Sequence, residues 1–266
     1  MLRPHCTARE YHTGTNRIFF RIYDFRHPGN ARAAAEAGAD VLAVPGVIWH
    51  SGSMDRQQRA QAVLERLAAR YPAPETHLTS TTPWELLVAT VLAAQCTDKR
   101  VNTVTPHLFA RWPGPAELAA APLHEVEAVV RPTGFFHNKA KNLIGAAAKI
   151  MADYGGEVPR TLRELTTLPG VARKTANVVL WGGFGINEGL AVDTHVRRIS
   201  YRLGLTSETD PVAVERDLLL LFPREEWGNV NHRMVWFGRH VCDARKPRCE
   251  ECEMAGFCPR HELPKK

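Results

Sequence analysis

Four cysteines fall within the 17 residues from Cys242 to Cys258, in the order Cys242-x6-Cys249-x2-Cys252-x5-Cys258. No other feature limits the fold of this chain so much, because four thiols this close together ask for one bound centre that closes the loops between them. The N-terminus holds no apolar signal segment, which argues against secretion and disulfide pairing. Cys6 and Cys96 stand apart from the group. Zinc and a 4Fe–4S cluster both accept four thiolates, and the spacing by itself leaves both open, although zinc loops more often show two C-x2-C pairs. Between the first two cysteines lies DARKPR, so Arg245, Lys246 and Arg248 sit on a loop tethered at both ends. Cations on a free loop are usually just solvated, whereas tethered ones can meet phosphates at a smaller ordering cost.

Upstream of the cysteines the apolar residues keep a helical period. Residues 83–96 are apolar nearly all round (Leu86, Leu87, Val88, Val91, Leu92), as in a helix sunk in a core. Residues 138–154 place Ala140, Leu143, Ile144, Ala147 and Met151 on one stripe. Further helices are expected over 99–111, 171–182, 194–203, 211–222 and 225–241. Strand signals are scarce, so the class expected is all-α.

The first 53 residues differ. They mix Arg, His, aromatics and Gly without a sustained period, and helical patterning starts at Met54. A flexible tail, a targeting peptide and translated upstream sequence all fit, with Glu10, Asp24, Glu36 and Asp40 arguing against an acid-poor transit peptide. The expectation is an extension outside the fold. No run of 18 apolar residues exists, so no membrane span is expected. The formal net charge of +6 is compatible with a nucleic-acid partner and too small to establish one.

Within LTTLPGVARKTANVVLWGG, Pro169-Gly170 stands between two helical patterns. Pro followed by Gly suits a type II turn with Gly at the positive-φ position. The turn feeds a helix whose free N-terminal amides, with the positive end of the dipole, could hold a phosphate. A tight helical corner without a ligand reads equally well from the turn alone. Lys174 falls in the first turn of that helix. A helix N-terminus and partial burial both favour the neutral amine that imine chemistry needs. Asp193 precedes the next helical run, in AVDTHVRRISYRLGL, where a plain N-cap is the ordinary reading. A capped carboxylate is also held well enough to act on a neighbouring amine or a developing positive charge.

LPGVARKTANVVL, then VDTHVRR, then the four cysteines are similar in identity and order to the endonuclease III family of helix–hairpin–helix DNA glycosylases. The resemblance runs from Met54 to the C-terminus, about four-fifths of the chain. It implies a 4Fe–4S cluster on Cys242, Cys249, Cys252 and Cys258. It implies Lys174 as the nucleophile at C1′ of the damaged nucleotide, and Asp193 as the carboxylate that assists it and steadies the oxocarbenium-like centre. Gly170, Val171 and Ala172 become the phosphate-holding hairpin, and Gln95 and Phe135 match the two loops that enter the duplex when the base is extruded. Two departures stand out: Ala172 where the family usually has a second Gly, and Phe135 where it more often has an aliphatic residue. A Cβ at residue 172 could crowd the phosphate or shift the local backbone.

The resemblance further implies an all-α, two-lobed protein, with a helical bundle over 76–186 and a cluster domain made of 54–75 and 187–266. The expected activity is excision of oxidised pyrimidines from double-stranded DNA, with lyase cleavage of the strand, by a cytoplasmic, nucleoid-associated monomer. Its partner is DNA containing damaged bases or abasic sites. The nearest rival is the related glycosylase that removes adenine opposite oxidised guanine. That branch generally lacks the lysine at residue 174 and carries a catalytic glutamate where this chain has Thr90. A non-catalytic DNA-binding or redox module would use hairpin and cluster only, and would form no covalent adduct with abasic DNA. An RNA-binding metalloprotein is weakly supported, since no aromatic RNA-binding signature is present.

Overall fold

The computed structural model describes residues 54–74 and 76–262, together with the backbone of four strands before them. The chain divides into two compact units, Met1–Asp55 and Arg56–Lys266. In the first, β1 (Cys6–Thr13) pairs antiparallel with β2 (Asn16–Tyr23), with Cys6 opposite Tyr23 and Thr13 opposite Asn16. A smaller hairpin joins β3 (Leu42–Val44) to β4 (Val47–Trp49). These strands correct the sequence reading, which found no regular period in this stretch. Ile18, Phe19, Phe20, Ile22 and Tyr23 favour extended backbone by type, without the strict alternation that marks a half-buried strand.

The second unit is helical throughout its described residues. Its elements are α1 (Arg56–Arg70), α2 (Pro83–Leu92), α3 (Asp98–Arg111), α4 (Pro115–Ala119), α5 (Leu123–Val130), α6 (Phe136–Tyr154), α7 (Leu162–Leu165), α8 (Arg173–Phe184), α9 (Thr194–Arg202), α10 (Pro211–Leu221) and α11 (Trp227–His240). Helices α4, α5 and α7 were not anticipated; they are too short for a 3.6-residue period to show. Helix α2 begins where local chemistry starts it. Thr82 Oγ1 accepts the Glu85 N–H at 3.1 Å, Glu85 accepts the Thr81 N–H in return, and Pro83 fills the first helical position. It stops at Leu92, four residues short of the expected end, because the chain turns at Gln95.

Two apolar cores form. One gathers Leu87, Val91, Leu108, Leu143, Ile150 and Leu180 from α2, α3, α6 and α8. The other gathers Leu67, Val196, Ile199, Leu218, Met234 and Phe237 from α1 and α9–α11. Helices α8 and α11 meet between them, where a Cβ on Gly228 would overlap the Trp181 ring. Only glycine allows that approach. No helix among the described residues is long and apolar enough to cross a membrane.

Candidate active site

The Pro-Gly turn forms as its residues dictate. Val171 N–H donates to the Leu168 carbonyl at 3.1 Å, and Gly170 takes φ +77°. A Cβ there would also lie 2.9 Å from the Asn142 Cβ. Helix α8 starts at Arg173, two residues later than the expected 171, and Ala172 is its N-cap at φ −86°, ψ 168°. That conformation suits any L-residue, so the alanine standing where the family has glycine introduces no backbone strain. Ala172 is exposed and offers no side-chain acceptor, which leaves first-turn amides of α8 uncapped and available to an anion. Gly170→Ala, facing both the wrong φ and Asn142, is expected to cost about 1–3 kcal/mol of stability. DNA binding should weaken equally on damaged and intact duplex. Thermal melting with duplex titrations checks this, and unchanged values for both would show that the turn tolerates a side chain.

Lys174 and Asp193 line one cavity of about 90 Å3, together with Thr90, Asn231, His232 and Trp236. Lys174 is exposed, where partial burial was expected. Asp193 is half-buried and caps α9: its Oδ1 accepts the N–H groups of His195 at 2.8 Å and Val196 at 2.9 Å. Both capping bonds use the same oxygen, so Oδ2 carries neither. Thr90, where the adenine-removing branch has its glutamate, turns its hydroxyl onto the Leu86 carbonyl at 2.7 Å. His232 escaped the sequence reading. Burial pushes its imidazole below the ordinary value, and its Nδ1 is buried with no hydrogen-bond partner. Its ring lines the cavity shared by Lys174 and Asp193.

A second group missed by sequence is Glu215 of α10, 4% exposed. Its carboxylate receives Arg173 Nε at 2.6 Å and a second Arg173 nitrogen at 3.0 Å. It also receives Asn177 Nδ2 at 3.2 Å and the Leu190 N–H at 3.1 Å. One side chain thus joins the first turn of α8, beside Lys174, to the segment that leads into Asp193. On paper VAVERDLLLL is an amphipathic helix whose acids look solvent-facing.

Gln95 and Phe135 lie outside that cavity. Both are exposed, Phe135 by 63%, and both adopt left-handed backbone, φ 53° and 49°. Among the described residues Arg260 is the only other non-glycine with positive φ. Side chains rarely take this conformation, and where they do the surroundings must hold it.

Cys242, Cys249, Cys252 and Cys258 line a second cavity of about 100 Å3. Burial pushes the Cys252 thiol up to about 11 and raises Cys258, so metal-free thiols there would stay protonated. Four half-buried cysteines lining one pocket supply the donor set a thiolate-bound centre needs, and its binding would replace those protons. Two buried arginines of α9 dock this loop. Arg202 donates to the carbonyls of Asp243 at 2.7 Å and Ala244 at 3.0 Å and to Cys242 Sγ at 3.5 Å, and Arg198 donates to the Cys242 carbonyl at 2.9 Å. N–H donors to ligand sulfur are a recognised means of tuning such centres. Arg245, Lys246 and Arg248 are exposed. Their loop is closed by Arg248 N–H on the Val241 carbonyl at 2.9 Å, and Asp243 Oδ1 accepts the amides of Arg245 and Lys246.

Residues 88–224 match the model of the HhH-GPD superfamily of base excision DNA repair proteins. Residues 242–258 match the iron-sulfur binding domain of endonuclease III. The endonuclease III of Synechocystis sp. is 53% identical over 204 residues, 77% of this chain and 93% of that protein. Two solved structures, a non-covalent endonuclease III–DNA complex and a trapped endonuclease III–DNA covalent intermediate, are each 42% identical with a TM-score of 0.74. Each covers 78% of this chain, and 96% and 97% of its own chain is matched.

Proposed function

Because the chain belongs to the endonuclease III family of base-excision repair proteins, we propose that Lys174 and Asp193 carry out its chemistry. The protein is a DNA glycosylase and AP lyase that acts on DNA and holds a 4Fe–4S cluster. The observation that carries the catalytic assignment is the shared cavity of Lys174 and Asp193 beside the uncapped start of α8.

In the proposed course, the hairpin amides of Gly170, Val171 and Ala172 hold a backbone phosphate. Gln95 and Phe135 enter the duplex and fill the gap left by the extruded nucleotide. Lys174 Nζ gives up a proton, with Asp193 as its acceptor, and attacks C1′. The N-glycosidic bond breaks and its electron pair leaves with the base, which is protonated. The C1′–nitrogen adduct opens the sugar ring to an imine. Removal of a C2′ proton then expels the 3′ phosphate by β-elimination, and water hydrolyses the imine to free the lysine. Asp193 is suited to its part because capping uses Oδ1 alone.

The proposed substrates are oxidised pyrimidines and abasic sites in double-stranded DNA, handled by a cytoplasmic, nucleoid-associated monomer. Thr90 supports this over adenine removal, since a threonine hydroxyl bonded to its own helix supplies no acid at that place. The two cores support a bundle over 76–186 and a cluster domain of 54–75 with 187–266. That the relative's match covers 77% of this chain and 93% of its own supports residues 1–53 as an extension outside the enzyme. Borohydride trapping across a panel of lesion duplexes tests the reading. Adducts are expected with oxidised pyrimidines and abasic sites; covalent capture of none would leave a DNA-binding module.

Cys242, Cys249, Cys252 and Cys258 would hold the cluster, which supplies loop closure rather than a reacting atom. The loop it closes would set Arg245, Lys246 and Arg248 against phosphates. Neutralising Arg245 and Lys246 together should weaken binding to damaged and intact duplex alike. The log–log salt slope should flatten by roughly one unit for each phosphate no longer neutralised. An unchanged slope at full iron content would mean that the loop faces solvent.

A further inference from the structure

Lys139 of α6 is 5% exposed and has no carboxylate partner among the described residues. Lysine is almost never buried without a pairing reason. Its Nζ donates to the Leu92 carbonyl at 2.8 Å and to the Thr133 carbonyl at 2.8 Å. Its backbone N–H donates to the Phe135 carbonyl at 3.1 Å. Leu92 ends α2, three residues before Gln95, and Thr133 ends a short turn two residues before Phe135. One residue therefore bonds to both loops that carry the exposed, left-handed side chains.

We propose that Lys139 is the positioning residue that fixes the spacing of Gln95 and Phe135, so that the two side chains enter the duplex together. The proposal rests on reading those two residues as the ones that fill the gap. The geometry favours this over a general core role. The carbonyls of Leu92 and Thr133 are terminal groups without a helical successor, the kind that a cation satisfies. Left-handed backbone at Gln95 and Phe135 persists only if neighbouring bonds over-determine it. The lysine sits on α6, whose stripe of Ala140, Leu143 and Ile150 is anchored in the core, so both loops are referred to one rigid support. Two wedges must arrive at a fixed separation, and a shift of about 1 Å at a reacting complex can cost about a hundredfold in rate.

The test uses the full-length, cluster-loaded protein with Lys139→Met, which keeps the aliphatic stem and removes the donors. Melting temperature and iron content are measured first. Trapping rates on an abasic site are then compared in duplex and in single-stranded DNA, with a 2-aminopurine placed opposite the site to report strand disruption. Duplex trapping is expected to fall about tenfold to a hundredfold. Single-strand trapping should stay within about twofold of the parent, since no partner strand has to be displaced. The 2-aminopurine signal should drop, and Lys139→Arg, which retains donors, should recover part of it. Lower melting temperature with the parent's duplex-to-single-strand ratio would reduce Lys139 to a core residue and overturn the proposal. Should Lys139→Met not fold, Lys139→Gln gives the same ratio from a protein that can keep one bond. Gln95→Ala and Phe135→Ala separate the two readings. If both leave the ratio unchanged, the gap-filling assignment falls and this proposal with it. If both lower it while Lys139→Met does not, only the proposal falls.

Discussion

Replacing Lys174 with glutamine is expected to abolish the borohydride-trapped complex and strand cleavage while leaving fold, cluster and DNA affinity intact. Glutamine is close to lysine in length but cannot form an imine, so the covalent route is closed rather than slowed. Lys174 is exposed and makes no hydrogen bond or ion pair among the described residues. Its loss should therefore change stability by no more than about 0.5 kcal/mol, as at ordinary surface positions. The rate should fall by at least about a thousandfold, the scale seen when a nucleophile is removed from an otherwise intact site. Single-turnover cleavage of an abasic duplex, run beside binding and iron analysis, checks it. Trapping at the parent rate would assign the chemistry to another amine.

The second large effect is expected at Glu215, which never reaches the reacting atoms. Glu215→Ala leaves the buried Leu190 N–H and Asn177 amide without their acceptor and releases Arg173. Arg173 is exposed enough to be rehydrated, so most of the cost lies in the two buried donors and the vacated space. A loss of about 3–5 kcal/mol is expected, the range for breaking a buried ionic network from one side. For a unit of this size that means a fall of roughly 6–20 °C in melting temperature. Activity of the folded fraction should drop as well, because α8 and the segment before Asp193 lose their common tie. Glu215→Gln, which keeps an acceptor for Leu190, should recover a part of both. An alanine variant melting within 1 °C of the parent, on a scale of about 2–4 °C per kcal/mol, would show that water replaces the carboxylate freely.

What could be read in the sequence was local. A Pro-Gly pair fixes a turn through the φ of two residues, an Asp before a helical run caps it, and four cysteines within one loop need no distant partner. The stripe of α6 was legible only in part: Ala140, Leu143 and Ala147 are buried as the period implies, whereas Met151 is 40% exposed, Ile144 is half-buried and Ile150 takes the core position. Glu215 and the pair Arg198 and Arg202 were not legible because they bond to residues about 40 positions away, and His232 because the cavity it lines is assembled from distant segments. In VRRISYR the three arginines look like a solvated basic face, yet Arg198 and Arg202 are buried against carbonyls of the cluster loop. Left-handed backbone at Gln95 and Phe135 could not be foreseen either: neither type prefers it, and the bonds that hold it come from elsewhere. The hairpins of the first unit went unread because their pairing is a relation between segments, and neither segment alternates.

The docking of α9 by Arg198 and Arg202 has a bearing on how the protein matures. Asp193 sits at the start of that helix, and the helix's two guanidiniums find their acceptors on residues 242–244, made just over forty residues later during translation. Without those residues, two cations that the fold buries would have to remain hydrated. A bound cluster would close the loop they grip. The helix that begins with Asp193 therefore completes its contacts only once residues 242–244 are in place, and a chain ending before Cys242 would leave both guanidiniums without these acceptors.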